Sequence, residues 1–188
     1  AGGARGHVFC EDAPLRGADG CMLFSYGDKG DESFEIELAE KWNCRVHEFD
    51  PKNASSWGQS NMPDRISSHA EALGYKSAAV APGGAKSDTL DAHFAQFGNG
   101  KASGDQRFLV KMDVEGTEWL AINRLSDEML GRIDQLVLEA HFHLRQTDKC
   151  MSEDGPCELE TLHRVTLDPK TLVMYMRLQL KVLQRLEK

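Results

Sequence analysis

The chain has 188 residues, of which 40% are hydrophobic and 28% charged, values typical of one globular domain and not of a disordered or fibrous chain. The formal net charge of -8 argues against broad contact with nucleic acid, because such contact depends on clustered Lys and Arg. No apolar run approaches the roughly 18 residues that span a bilayer, so we expect no membrane span. Compartment and oligomeric state stay open.

The five cysteines do not define a metal or disulfide framework. None of them has the Cys-x-x-Cys spacing of a zinc site, so no structural metal is expected. Cys150 and Cys157 flank a polar loop and would form a disulfide in an oxidising compartment, whereas free thiols are the alternative.

The chain begins with a segment that predicts no regular structure. Residues 1–20 are rich in Gly and Ala and lack a sustained period, so they form a predicted irregular arm ahead of a single domain over 21–188. The apolar run 21–26 stops at Gly27, which is typical of a buried strand followed by a turn.

The next segment predicts a helix and further strands. Apolar residues spaced by four over 31–43 indicate an amphipathic helix. A strand is predicted over 45–49, and Pro51 ends it because proline has no N–H to donate. Residues 51–76 have weak periodicity, and the only strand predicted near them is at 77–80.

The second half alternates between the two element types. A short helix is predicted over 90–97, ending at Gly98, and the apolar run 108–113 predicts a central strand buried on both faces. One helix over 117–130 and one strand over 133–142 follow.

The last segment and the overall order decide the predicted architecture. Residues 168–188 fit a helix by length and by their Leu, Lys, Arg and Gln content, although part of the segment also alternates like a strand. Repeated alternation of strand and helix predicts an α/β, doubly wound, mostly parallel sheet. Ligands of such sheets bind at the carboxyl ends of the strands, so the residues just after each strand are the candidate site.

Two such strand ends suggest a nucleotide-like ligand. Gly27 and Gly30 follow the first strand, where glycine lets the backbone approach a ligand, although a plain glycine turn is the alternative. Asp50 ends the second strand about 20 residues later, the separation at which a carboxylate meets a ribose hydroxyl, and an Asp-Pro turn is its alternative.

The charge of the first turn separates two classes of cofactor. Asp28, Asp31 and Glu32 would repel a pyrophosphate, and the Gly-x-Gly-x-x-Gly pattern of dinucleotide sites is absent. S-adenosylmethionine carries an ammonium and a sulfonium, and it is therefore the favoured cofactor. Residues 83–87 resemble a phosphate loop only superficially, because Val80 and Ala85 stand where glycines belong.

Six short motifs occur in one order along residues 21–142. They are Phe24-Ser25-Tyr26-Gly27, Asp31-x-Ser33-Phe34-Glu35, Glu48-Phe49-Asp50-Pro51, Thr89-Leu90-Asp91, Val110-Lys111-Met112-Asp113-Val114-Glu115-Gly116-Thr117-Glu118-Trp119 and Leu138-Glu139-Ala140-His141-Phe142. Together they resemble the FkbM-like and methyltransferase-like domain families. The most specific of them is the block Lys-x-Asp-Val-Glu-Gly-x-Glu.

The resemblance implies a class I S-adenosylmethionine-dependent methyltransferase with a Rossmann-like sheet. It implies cofactor contacts at Tyr26, Gly27, Gly30, Asp50 and Asp113, and acceptor contacts at Glu115 and His143. The acceptor is expected to be a small or glycan-like molecule. Residues 51–90 match only loosely, which leaves the adenine contacts unassigned, and no final strand pair follows Phe142, so we expect the seven-stranded sheet to be incomplete.

Methyl transfer requires alignment of the nucleophile with the methyl group and, for a hydroxyl or amine, a base. His141 is the first candidate base, and Asp113 and Glu139 are the others. The simpler interpretation of Asp113, Glu115 and Glu118 is that they favour the start of the following helix. Glu139, His141 and His143 alternate along a predicted strand and could surround a divalent cation with Asp113, but no spacing is diagnostic and no metal is assigned.

Two other functions remain alternatives. A nicotinamide-dependent oxidoreductase would use the same kind of fold and bind a dinucleotide. A non-catalytic interaction module with a degenerate methyltransferase fold would bind neither cofactor.

Overall fold

The structure is a computed structural model that describes residues 21–27, 31–51, 63–77, 86–98, 108–141 and 169–187. The strands are β1 (Met22–Tyr26), β2 (Arg45–Phe49), β3 (Ile66–His69), β4 (Glu71–Leu73), β5 (Lys86–Asp88), β6 (Phe108–Met112) and β7 (Ile133–Leu138). The helices are α1 (Ser33–Lys41), α2 (Leu90–Phe97), α3 (Thr117–Arg124), α4 (Asp127–Leu130) and α5 (Pro169–Leu186). The predicted arm over 1–20 lies outside the described residues.

Five strands form one parallel sheet in the order β3-β2-β1-β6-β7. The chain builds outward from β1 through β2 to β3, and then returns to the other side of β1 with β6 and β7. The strand order therefore reverses between β1 and β6, which is the switch point where open α/β sheets bind ligands. Strands β4 and β5 form a separate parallel pair. The predicted doubly wound, mostly parallel fold is confirmed.

Helices cover both faces of the sheet, and β1 is therefore buried on both sides. Met22, Phe24 and Tyr26 belong to the larger apolar core, which also contains residues of α2, α3 and α5. Leu23 belongs to a second core with residues of α1. Successive side chains of a strand point to opposite faces, so a near-continuous apolar run supplies both cores at once.

Most of the predicted elements are present with bounds that shift by a few residues. The predictions at 45–49 and 90–97 match β2 and α2, and the predicted final helix corresponds to α5. The side chain of Thr89 caps α2 by accepting a hydrogen bond from Ala92 N (3.2 Å). The described helices include none that is long and apolar enough to cross a membrane.

The single helix predicted over 117–130 is wrong, because Leu125 and Ser126 separate α3 from α4. Both residues have extended backbone, with ψ angles of 136° and 152°. Ser126 Oγ accepts a hydrogen bond from Met129 N (3.3 Å) and donates one to Asp91 Oδ1 (2.6 Å). The serine begins a new helix and attaches it to α2, and apolar spacing alone does not reveal either contact.

The predictions for the region between Asp50 and α2 missed three strands, β3, β4 and β5. Strand β3 lies at the sheet edge as Ile66-Ser67-Ser68-His69, with its serines exposed, so it lacks the apolar pattern of a buried strand. Strand β4 follows directly. Ser77, the first residue of the strand predicted at 77–80, lies outside any strand, and 78–80 are outside the described residues.

The strand predicted over 133–142 ends earlier, at Leu138. Its pairing stops there because its partner β6 ends at Met112, which pairs with Leu138. Glu139 and His141 therefore lie beyond the strand, and the prediction that they alternate along it is wrong. His143 and the segment 142–168 are outside the described residues.

A disulfide joins Cys21 to Cys44. It connects the residue before β1 to the residue before β2, and both cysteines are buried in the core on the α1 side. Cys150 and Cys157, for which a disulfide was one of two predicted states, lie outside the described residues. The pairing of Cys21 with Cys44 follows from two parallel neighbouring strands starting at the same edge of the sheet.

Candidate functional site

Three neighbouring strands end together at the switch point. Tyr26 at the end of β1 pairs with Phe49 of β2 and with Met112 of β6. The residues that follow these three strand ends are Gly27, Asp50 and Asp113. The structure thus brings together three of the residues that sequence analysis assigned to the cofactor site.

Gly27 makes the closest backbone approach in this region. Its φ is +78°, and a Cβ atom added to it would lie 1.8 Å from the carbonyl oxygen of Asp113. Gly27 N also donates to Phe49 O (3.1 Å), and Asp113 N donates to Tyr26 O (2.9 Å). Glycine is therefore required here by the neighbouring strand end, which is a reason that sequence analysis did not find.

Asp50 and Tyr26 are both buried at this edge, and they differ in the contacts that they make. Asp50 is buried, with 8% of its surface exposed, and its N–H donates to His69 O (3.2 Å). The Tyr26 side chain lies wholly inside the core, where its hydroxyl is 3.1 Å from His93 Nδ1. Burial, with a smaller effect of Glu71, raises the pKa of the Tyr26 phenol well above 10.0. At the switch point Tyr26 therefore contributes its backbone, whose carbonyl oxygen accepts a hydrogen bond from Asp113 N, and not its side chain.

A group of acidic side chains surrounds one histidine beside Asp113, and we call this group the carboxylate cluster. Its members are Asp113, Glu115, Glu118, Glu139 and His141. The Nε2 atom of His141 lies 3.4 Å from Glu139 Oε1, 3.5 Å from Asp113 Oδ1 and 3.6 Å from Glu115 Oε2. All three candidate bases of the sequence analysis therefore converge on one point.

Glu118 holds His141 from the other side of the ring. Glu118 Oε1 is 3.1 Å from His141 Nδ1 and accepts a hydrogen bond from His141 N (2.9 Å). Glu118 Oε2 accepts from Gly116 N (2.8 Å), so this carboxylate also closes the turn before α3. Trp119 Nε1 donates to His141 O (2.8 Å) and fixes the backbone of the same residue.

Exposure increases across the carboxylate cluster from Glu118 to Glu139. The Glu118 side chain is fully buried, and those of His141 and Asp113 are 6% and 7% exposed. Glu115 is 27% exposed and Glu139 is 49% exposed. The Nδ1 edge of His141 therefore faces a fully buried carboxylate, whereas its Nε2 atom faces the more exposed side chains of Glu115 and Glu139.

Glu115 reaches the cluster through an unusual turn. Its φ of +59° lies in the left-handed region, which residues other than glycine rarely adopt. Gly116 follows with a φ of +107°. Such strain persists only where surrounding contacts hold it in place, and it is common at functional sites. Here the hydrogen bond from Gly116 N to Glu118 is one of those contacts.

Sequence analysis did not anticipate the role of Glu118. The prediction treated Glu118 as a favourable charge at the start of a helix, and the structure places it beneath His141, which is 23 residues away in sequence. The motif block contains Glu118, but only the meeting of β6 and β7 identifies its partner. Gly30 and His143, the other predicted site residues, lie outside the described residues.

Three members of the carboxylate cluster have the geometry of a metal site. One ligand atom from each of Asp113, Glu139 and His141 lies within 4.8 Å of the other two. Two carboxylate oxygens and an imidazole nitrogen can bind a divalent cation, or they can act as hydrogen-bonding groups towards an acceptor.

A group of three histidines and four aromatic residues lies on the other side of β1, and we call it the aromatic–histidine stack. Its members are His47, His69, His93, Phe24, Tyr26, Phe49 and Phe97. Phe49 stacks on His93 with ring centroids 4.2 Å apart and on His69 at 4.7 Å. Burial lowers the pKa of His47 and of His93 to about 4, so both are neutral at pH 7. The rings of these histidines pack on aromatic side chains, and His93 is also 3.1 Å from the Tyr26 hydroxyl and 3.3 Å from Glu71 Oε2.

Comparison with known proteins finds methyltransferase-like relatives. Over 129 residues the chain is 30% identical to probable methyltransferase-like protein 24 of Rattus norvegicus, covering 65% of this chain and 33% of the relative. The chain resembles methyltransferase-like proteins. The human protein of the same name gives the same identity and coverage. The chain thus spans about a third of the length of these curated relatives.

Neither a family model nor a solved structure matches the chain. The similarity supports a methyltransferase-like relationship in general, and the more specific FkbM-like assignment stays a prediction.

Proposed function

We propose that this chain binds S-adenosylmethionine at the switch point between β1 and β6 and transfers its methyl group to a hydroxyl or amine of a small or glycan-like acceptor. The observation that carries the proposal is the similarity to probable methyltransferase-like protein 24. The sheet order and the shared position of Gly27, Asp50 and Asp113 at neighbouring strand ends support it.

The residues at the switch point suit the charge of this cofactor. Asp50 lies at the end of β2, where a carboxylate can accept hydrogen bonds from both ribose hydroxyls. Asp31, Glu32 and Asp113 add negative charge near the first turn, which suits an ammonium and a sulfonium and disfavours a pyrophosphate. Gly30 would complete the turn around the cofactor.

Methyl transfer does not require a covalent intermediate with the protein. Bound S-adenosylmethionine supplies an electrophilic methyl group, and the chain's own residues orient the acceptor and exclude water. The carboxylate cluster includes Asp113, which follows β6 at the switch point, and therefore lies next to the proposed cofactor position. Its groups His141, Asp113 and Glu139 would hold the acceptor oxygen or nitrogen and receive its proton.

Ligand binding tests the cofactor assignment directly. S-adenosylhomocysteine should raise the melting temperature of the chain, because a ligand that binds only the folded state stabilises it, and NAD should not. Protection by NAD alone would favour a nicotinamide-dependent oxidoreductase. Protection by neither ligand would favour a non-catalytic interaction module.

The role of Asp50 can be tested by calorimetry with S-adenosylhomocysteine. Asp50→Asn should weaken binding by at least tenfold, because the amide loses the charge and half of the acceptor capacity for the ribose. Glu40→Gln, the same chemical change at an exposed position of α1, is the matched control and should bind as the unmodified chain does. Equal affinities of the two variants would reject this cofactor site.

A further inference from the structure

We propose that the carboxylate cluster is a binding site for a divalent cation, with Asp113, Glu139 and His141 as protein ligands and Glu115 as a fourth. Sequence analysis assigned no metal, because the spacing along the chain is not diagnostic. The tertiary structure brings the ligand atoms of three of these residues within 4.8 Å of one another.

An imidazole nitrogen at the centre distinguishes this site from a patch of acidic side chains. His141 is 6% exposed, and its Nε2 atom faces the carboxylates of Asp113, Glu115 and Glu139. A buried histidine nitrogen together with carboxylate oxygens is a ligand set for first-row divalent cations such as Mn²⁺.

The spacing of the ligand atoms suits coordination better than direct hydrogen bonding. Ordinary N–H···O hydrogen bonds are about 2.7–3.2 Å long. Ligand atoms about 2.1 Å from one cation lie roughly 3.0–3.4 Å apart in octahedral or tetrahedral geometry. The distances of 3.4, 3.5 and 3.6 Å from His141 Nε2 to the three carboxylates lie closer to the second range.

The opposite edge of the His141 ring is held as it is in metal-binding histidines. Such histidines usually donate their other ring N–H to a carboxylate or carbonyl, which fixes the ring and its tautomer. The carboxylate of Glu118, itself fully buried, lies 3.1 Å from His141 Nδ1. Glu118 also accepts two backbone N–H groups, so a proton on His141 Nδ1 would be held by this carboxylate and would leave Nε2 to bind the cation.

The cation would define the acceptor class, and this part of the inference rests on the proposed function. Coordination lowers the pKa of a bound hydroxyl, so an oxygen acceptor is favoured over an amine. The O–H bond breaks and its proton passes to solvent beside the half-exposed Glu139. The oxygen then forms a bond to the methyl carbon as the carbon–sulfur bond breaks, which leaves a thioether. His141 acts as a ligand in this scheme, not as the base.

The test measures Mn²⁺ binding to the full chain after removal of metals with EDTA. Electron paramagnetic resonance of free Mn²⁺ should show one saturable site per chain. Glu139→Gln should weaken this site at least tenfold, and its side chain is exposed enough for the fold to tolerate the change. Glu128→Gln, the same change at an exposed position of α4, is the control and should bind as the unmodified chain does.

Two further measurements report on the ligand set. Glu118→Gln should weaken Mn²⁺ binding about 10–100-fold, the cost typical of removing a partner of a metal-binding histidine. The pulsed resonance spectrum of bound Mn²⁺ should carry a nitrogen modulation from His141. Lack of saturable binding, equal binding by Glu139→Gln and Glu128→Gln, or lack of the nitrogen modulation would each overturn the inference.

Calorimetry with S-adenosylhomocysteine in the presence of EDTA separates this inference from the proposed function. Binding of S-adenosylhomocysteine without Mn²⁺ binding would reject the cation site and keep the proposed function. Binding of Mn²⁺ without binding of S-adenosylhomocysteine would keep the cation site and reject the proposed function.

Discussion

The carboxylate cluster and the aromatic–histidine stack use the same residue type in opposite ways. In the cluster, both ring nitrogens of His141 face carboxylates, and one side is open to solvent through Glu139. In the stack, His47 and His93 lie against aromatic rings, and burial lowers the pKa of each to about 4. A histidine in this chain thus contributes mainly polar contacts where carboxylates surround it and mainly ring packing where aromatic side chains do.

The largest effect is expected at Gly27. This residue contacts Phe49 of the aromatic–histidine stack and Asp113 of the carboxylate cluster. Gly27→Ala would place a methyl group 1.8 Å from Asp113 O at a φ of +78°, so it should destabilise the chain by more than about 4 kcal/mol or prevent folding. Urea unfolding measures the change. In Gly131→Ala the nearest contact is 3.4 Å, and the cost should stay below about 1 kcal/mol. Similar costs for both variants would contradict the close approach.

The next effect contrasts the carboxylate cluster with a carboxylate enclosed on the opposite face of the sheet. Lys111 Nζ lies 2.7 Å from Glu35 Oε1, with 3% and 0% of the two side chains exposed, and Ser25 Oγ also donates to Glu35 (2.6 Å). Lys111→Met should cost about 3–5 kcal/mol, because it leaves a charge buried without its partner.

Urea unfolding of the double variant Glu35→Leu with Lys111→Met is the control for this prediction. The pair is then replaced by apolar side chains of similar size, so most of the lost stability should return. A double variant no more stable than Lys111→Met would show that the unpaired charge of Glu35 is not the cause of the loss, contrary to this expectation.

Acid should lower the stability of the folded chain by protonating the histidines of the aromatic–histidine stack. His47 and His93 have pKa values of about 4 in the folded chain and 6.5 in the unfolded chain, so between these values the unfolded chain binds more protons. Their contribution to stability is complete above pH 6.5 and is lost as the pH falls towards 4. The melting temperature should therefore fall over this range.

The variant His47→Phe isolates this effect from the titration of carboxylates. It keeps a flat ring against Phe24, whose centroid lies 5.5 Å from that of His47, and it removes one titrating group. Its melting temperature should therefore depend less steeply on pH between 6.5 and 4. An unchanged slope would mean that protonation of His47 does not limit stability in acid.

The smallest effect is expected for an ion pair on the outer surface of α1. Unlike the carboxylate cluster and the aromatic–histidine stack, this pair is exposed to solvent. Lys41 Nζ lies 2.6 Å from Glu37 Oε1, and 63% of the lysine side chain is exposed. Lys41→Ala should leave the melting temperature almost unchanged, because exposed pairs are well screened by water. A large fall would show that surface charge contributes more to this helix than the buried contacts do.

Much of the fold could be predicted because β1 and β6 are near-continuous apolar runs, β2 is followed closely by Pro51, and α1 and α2 have apolar residues at helical spacing. The predictions were wrong where local polar chemistry or the sheet edge decided the structure. Strand β3 is an exposed edge strand with two serines, and the hydrogen bonds of Ser126 divide the predicted long helix into α3 and α4. Neither feature changes apolar periodicity, which was the main guide.

For the site, the amino-acid sequence by itself indicated the residues that follow the predicted strands, and so it made Gly27, Asp50, Asp113 and His141 candidates. Only the tertiary structure decided that Glu118 lies beneath His141, that Glu139 extends past β7, and that the reason for Gly27 is the carbonyl of Asp113. The physical reason is that periodicity reports the face on which a residue lies. The distance between two side chains depends on strand register and strand length, which neighbouring strands set together.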